Sequence, residues 1–278
     1  MFKNNFLNNK EDRRGATIIL AVALVFGILL TFAGIASLHQ PKYDKLTLCP
    51  IDIEYPSTSI LVDKTDPWTE KEKNNLRELI LAKVLNLEVF ERLRIYIVEN
   101  KKSDKQAIFD FCNPMRGDQV NPLYQNPMLI QKKFMDQFGT PLNELLCTLV
   151  ETGRAKKTKL IDSVYHIAET TIDLELILIS DLMENSNDIS FYDKKPCYSC
   201  WTKYANNSLA IEQLRIVKVK RNIRRSKERK INQFWEKLFQ QHNIPLTWEK
   251  LSEQTVVSSS PFNKKGDISC KETLQRHS

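Results

Sequence analysis

Two carboxylates, Asp63 and Asp181, each stand at the end of an apolar run, with hydroxyls close beside them. The first run is Ser59-Ile-Leu-Val-Asp63-Lys-Thr65-Asp66-Pro67, and the second, Leu174 to Ile179, leads into Ser180-Asp181. An apolar strand that delivers Asp-x-Thr to its carboxyl end is how open α/β sheets present ligand-binding and metal-binding groups. Taken together the two runs define a site. They do not by themselves specify a reaction.

The elements that must position these residues are readable from periodicity. Ile60 to Val62 is the apolar heart of a first strand. Thr69-Glu-Lys-Glu72 is a capping box, after which Leu76, Leu79, Ile80, Val84 and Leu87 recur on one helical face. Leu93, Ile95 and Ile97 alternate with Arg94, Tyr96 and Val98 in a second strand, and Ala107 to Cys112 reads as a third. The connection between them, Glu99 to Gln106, is too short for a crossover helix, so this pair is expected to be antiparallel and to form a sheet edge. A turn-rich loop, Asn113 to Pro127, precedes helices expected over Met128–Phe138, Pro141–Glu151 and Leu160–Thr170, with Pro141 suited to a helix start. Leu174 to Ser180 is apolar enough to lie inside a parallel sheet. Asn185 to Asn207 is polar and loop-like. Leu214 to Lys220 alternates as a strand with one wet face, and Ile231, Phe234, Trp235, Leu238 and Phe239 mark an amphipathic helix that belongs to the core. The expected fold is α/β and Rossmann-like: a mostly parallel sheet with one antiparallel edge strand and helices on both faces.

The N-terminus adds a membrane element. Ala16 to Leu38 carries no charge and is long enough to span a bilayer as a helix. Lys3, Lys10, Arg13 and Arg14 precede it, which places the N-terminus in the cytoplasm and the rest outside. A cleaved signal peptide is the alternative, with small residues at Gly34-Ile-Ala36, but the run exceeds the usual apolar core of ~7–15 residues. The expected division is a cytoplasmic segment 1–15, an anchor 16–38, a Pro-broken linker 39–56, one domain 57–251 and a disordered tail 252–278. The expected setting is a bacterial inner membrane with the domain in the periplasm.

The net charge of +7 is local, because nine basic residues and one acid fall between Arg215 and Lys230. Such a run is most often a solvated turn and helix start, although it could also hold nucleic acid or anionic lipid. Six cysteines suit an oxidising compartment, with their connectivity left open.

The order of elements resembles the von Willebrand factor type A domain over about Thr58 to Asn243. In that family a first loop carries Asp-x-Ser-x-Ser, a second a Thr and a third an Asp. Together these form a metal-ion-dependent adhesion site, usually holding magnesium. The resemblance carries the first Asp and Ser to Asp63 and Thr65, the second-loop Thr to Thr158 and the third-loop Asp to Asp181. Pro67 replaces the second Ser, and Asp181 stands in Leu-Ile-Ser-Asp where adhesive members commonly have Thr-Asp-Gly. Magnesium takes oxygen ligands and usually keeps several waters, so two carboxylates and hydroxyls would supply a partial shell, open to an acidic group from a partner. The implied function is a membrane-anchored module that binds another protein in assembly or adhesion. The alternative without metal has Asp63 capping a loop and Asp181 ending a strand in a turn.

Other signals point elsewhere or nowhere. Asp63 could serve as the nucleophile of a phosphohydrolase such as the haloacid dehalogenases, but these want Asp-x-Asp and Thr65 stands in the second place. Cys197-Tyr-Ser-Cys200 lacks the second ligand pair of a zinc site and the flanking strand and helix of a redox motif, which leaves a local disulfide or structural thiols. Arg116-Gly117-Asp118 is too short a match to an adhesion tripeptide to count. No Gly-rich phosphate loop is present.

Overall fold

The computed structural model describes residues 10–38, 42–51, 54–98, 106–149, 157–171, 173–193, 196–204 and 209–251. The tail 252–278 and the first nine residues lie outside that set, as do the expectations attached to them. The described chain forms two units. The first holds helix α1, Lys10–Leu38, and a short bridge between Tyr43 and Pro50. Arg14 to Thr31 has a mean hydropathy of 2.1, and this helix is long and apolar enough to cross a membrane. A signal sequence near the N-terminus would meet the same description.

The second unit is a mixed α/β domain around a six-stranded sheet in the order β3-β2-β1-β4-β5-β6. The strands are β1 (Ser57–Asp63), β2 (Arg92–Val98), β3 (Phe109–Cys112), β4 (Asp173–Ser180), β5 (Ile211–Lys218) and β6 (Leu246–Lys250). All neighbours pair in parallel except β2 with β3, the edge pair expected from its short connection. The central strand β1 is buried along its whole length, as its apolar sequence requires.

Successive residues of a strand point to opposite faces, and β1 feeds two apolar clusters accordingly. Leu61 joins Leu176, Leu178, Leu214 and Ile216 against helices α5 (Leu160–Thr170) and α6 (Arg225–Gln240), where Trp235 and Phe234 are fully buried. Ile60 and Val62 join Ile95, Ile177 and Ile179 against helix α2 (Glu70–Leu85) and the helical run after β3. The expected apolar faces of α2 and α6 are the ones that pack.

The capping box of α2 forms as its sequence implies: Thr69 Oγ1 accepts from the Glu72 amide, and the Glu72 carboxylate accepts from the Thr69 amide at 2.8 Å. Thr69→Ala should lower stability by about 1 kcal/mol, a typical loss for an N-cap hydroxyl. Urea denaturation would check this, and an unchanged midpoint would mean that water replaces the cap.

Two expectations need correction. The helices expected over Met128–Phe138 and Pro141–Glu151 are one continuous run: α3 (Pro127–Phe134), a π turn (Met135–Gly139) and α4 (Thr140–Leu149). Proline inside a helix lacks its amide and crowds the carbonyl four residues back. The wider π turn, in which the Thr140 amide reaches the Met135 carbonyl, lets Pro141 sit inside the run rather than start it. Strand β6 is absent from the sequence reading: it is a five-residue edge strand in which only Leu246 and Trp248 turn to the core, both half-buried, too short a pattern to stand out. In addition, α1 begins six residues before the expected anchor.

Candidate functional site

Strands β1 and β4 lie side by side, and the chain leaves β1 toward β2 on one flank and later returns to β4 on the other. Such a reversal opens a crevice beyond the carboxyl ends of the two strands. Asp63 is the last residue of β1 and Ser180 the last of β4. Val62 pairs with Ile179, so the next step along each strand brings these two polar side chains together.

Ser180 Oγ donates to Asp63 Oδ2 at 2.6 Å and accepts from the Leu182 amide at 2.8 Å. The other oxygen, Asp63 Oδ1, accepts from Thr65 Oγ1 at 2.6 Å and from the Thr65 amide at 3.1 Å. Thr158 enters just before α5, held by two backbone hydrogen bonds to Asn185, and its Oγ1 donates to Thr65 Oγ1 at 2.9 Å. Asp181 Oδ1 accepts from the Met183 amide at 2.9 Å, while its Oδ2 lies 3.6 Å from Arg221 Nε. Arg221 also donates from Nη1 to Glu72 Oε1 at 2.8 Å. Asp63, Thr65, Thr158 and Asp181 are all buried. The four site residues taken from the sequence therefore meet in one place.

The electrostatics are those of carboxylates held away from water. Burial pushes the Asp63 carboxyl above its ordinary range, against the pull of the Ser180 and Thr65 hydrogen bonds. Burial and then the charge of Asp63 push Asp181 up to about 7, while Arg221 pulls it back. Asp66 adds to both through its charge. Pro67 is exposed and offers no ligand.

Among the described residues no group of three or more His, Cys, Asp and Glu side chains is placed to hold a metal. An ion at this site would take two carboxylates and the hydroxyls around them.

No family model matches this chain, and no curated protein matches it either.

Glu72 and Arg221 are not part of the site as read from sequence, and Ser180 enters that reading only as the neighbour of Asp181, with no role of its own. The structure gives it one, because Ser180 ends β4 at the level where Asp63 ends β1 and donates to it. Arg221 was hidden in the basic run, which is not simply a solvated turn. Arg215 pairs with Glu175 at 2.5 Å and Lys218 with Glu228 at 2.6 Å, both from β5, and Arg221 turns toward the site. Lys220, Arg224, Arg225, Arg229 and Lys230 are exposed.

Leu182 adopts φ 67°, a left-handed conformation costly for a branched side chain, while fully buried. Its carbonyl accepts from Trp235 Nε1 at 3.1 Å, which ties the turn after Asp181 to the core.

The other motifs resolve simply. Cys197 and Cys200 form a disulfide, Cys49 pairs with Cys112, and Cys147 is also disulfide-bonded. Arg116 is buried and bonded to the Val84 carbonyl at 3.0 Å, so the Arg-Gly-Asp tripeptide is not displayed for recognition.

Proposed function

We propose that this chain is a membrane-anchored, Rossmann-like module of the von Willebrand factor A type that binds another protein. In this reading α1 remains as a single-pass span of a bacterial inner membrane, with the domain periplasmic. The convergence of Asp63, Thr65, Thr158 and Asp181 at the carboxyl ends of β1 and β4 carries the proposal, since it joins residues far apart in the sequence. The strand order, the antiparallel edge and the left-handed turn at Leu182, where the resemblance places Gly, support it. Disulfides suit an oxidising compartment.

The donor set fits magnesium, a hard cation that prefers carboxylate and hydroxyl oxygens. Asp63 and Asp181 would hold it, directly or through water, with Thr65 and Thr158 completing the protein's share. Magnesium so held supplies positive charge for an acidic group of the partner. The chain's own residues do the rest. Ser180 orients Asp63, Thr158 orients Thr65, and Arg221 balances Asp181 with a guanidinium. The exposed bases Lys220, Arg224 and Arg225 lie on the same β5–α6 connection and helix start as Arg221, and would draw an acidic partner toward it.

Titration of the full chain with magnesium and manganese by calorimetry tests this. Heat is expected from the parent and none from an Asp63→Asn/Asp181→Asn variant that keeps its far-ultraviolet circular dichroism. A folded parent that gives no heat with either ion would overturn the metal reading.

The exposed bases also favour a second reading, in which Lys220 to Lys230 holds nucleic acid or anionic lipid. Such binding would weaken steeply as salt rises. A salt-independent or absent signal with an unspecific oligonucleotide, and with anionic vesicles, would remove it.

A further inference from the structure

We propose that the loop and helix from Leu123 to Lys133 rest on the surface of the bilayer that holds the chain's own span. The inference builds on the reading of α1 as an anchor. Leu123, Tyr124 and Met128 are 84%, 85% and 82% exposed, and Leu129 is 59% exposed. Single exposed apolar residues are ordinary, but four within seven residues form a patch.

The patch has the composition of an interfacial contact. Met128, Leu129, Lys132 and Lys133 share one face of α3 by helical spacing, while Phe134 is buried. Apolar side chains followed by lysines, with a tyrosine beside them, suit the boundary between acyl chains and anionic headgroups. Nearby acids do little to oppose this, because Asp118 is paired with Arg116 at 3.0 Å and exposed Asp136 lies in the π turn beyond the lysines.

The patch is held in shape rather than frayed. Asn121 Oδ1 accepts from the Leu123 amide at 3.0 Å, and Asn126 caps α3 by accepting from the Met128 and Leu129 amides. Gln131 Oε1 accepts from the Gly117 amide at 3.0 Å. A Cβ at Gly117 would come within 2.4 Å of the Pro127 carbonyl oxygen, so glycine is needed for this close approach. At the root of the loop, Asn113 Nδ2 donates to the Leu87 and Glu88 carbonyls at 3.1 and 2.9 Å.

The covalent path limits how far the domain can stand from the span. The loop begins after Cys112, opposite Arg92 at the start of β2, which is the sheet end where β1 also begins. Cys112 is bonded to Cys49, and its amide donates to the Thr47 carbonyl at 2.9 Å. Cys49 follows Leu38, the end of α1, by eleven residues, which can span at most about 39 Å fully extended. The loop that carries the apolar patch and the Cys49–Cys112 bond thus start from one end of the sheet. The candidate site, at the carboxyl ends of β1 and β4, belongs to the other.

Full chain reconstituted into vesicles of phosphatidylcholine and phosphatidylglycerol with brominated acyl chains tests the contact. A Tyr124→Trp variant is compared with Tyr192→Trp, an exposed tyrosine in the segment after β4, each after subtraction of the parent emission. Loss of most of the added emission is expected for Tyr124→Trp and not for Tyr192→Trp. Adding Lys132→Glu/Lys133→Glu should restore it. Resistance to alkaline carbonate extraction reports the span separately. Equal emission from the two tryptophans in carbonate-resistant protein would overturn the contact alone and leave the patch to a protein partner. Release by carbonate would overturn the anchor reading and this inference with it.

Discussion

Replacing Cys49 and Cys112 together by Ser is expected to lower the stability of the domain by about 4 kcal/mol. The bond closes a loop between residues 63 apart in sequence, and a crosslink of that span removes much of the freedom of the unfolded chain. Both cysteines are buried, so the variant also places two hydroxyls in an apolar setting. Replacing Cys197 and Cys200, three residues apart, should lower stability by less than half as much, because a short loop has little closure entropy to lose. Chemical denaturation of the two double variants beside the parent would check the order. Equal losses, or an unchanged midpoint for the Cys49/Cys112 variant, would mean that loop closure is not what this bond contributes.

Stability is also expected to fall as pH rises from about 5 to 8, with Glu184 as one cause. This carboxyl is 1% exposed, and Oε2 accepts from the Ile161 amide in the first turn of α5 at 2.9 Å. Lys159, the N-cap residue of α5, makes no side-chain cap, so Glu184 supplies one from another part of the chain. Burial pushes its pKa up from 4.5 to about 8; the Ile161 amide opposes the rise, and Asp162 on α5 adds to it. Over that interval the unfolded chain has lost a proton that the folded chain keeps. The folded state therefore binds more protons, and its stability declines as pH increases.

Asp63 and Asp181 are raised as well, so the informative quantity is the difference between parent and variant. Glu184→Gln keeps an acceptor for the Ile161 amide and should be flatter with pH than the parent. Glu184→Ala leaves that buried amide without a partner and should lower stability by about 1–3 kcal/mol across the range. A Gln variant with the same slope as the parent would show that Glu184 does not titrate in this window.

The parts of the molecule visible in the sequence are those governed by local pattern. The capping box at Thr69, the packed faces of α2 and α6, and the strand ends at Asp63 and Ser180 all follow from spacings within a few residues. The pairing of Arg221 with Glu72 joins residues 149 apart, and no local pattern marks it. Strand β6 offers only Leu246 and Trp248 as an alternating apolar pair, too few to mark a strand, and the π turn answers a crowding at Pro141 that only a continued helix creates. Thr158 was the least local of the assigned residues. It reaches the site because the chain before α5 is bridged to Asn185, beyond β4.

The Cys49–Cys112 bond lies at the end of the sheet where β1 starts, and the candidate site caps the other end of the same strand. A pull applied between the two would run along β1, which is flanked by β2 and β4 with their hydrogen bonds across the line of force. Strands loaded lengthwise must shear many such bonds at once, whereas strands peeled sideways give way one bond at a time. The Cys49–Cys112 bond diverts part of the load into β3 before it reaches β1. Tension between the two ends of β1 would therefore load its neighbours in shear rather than peel them.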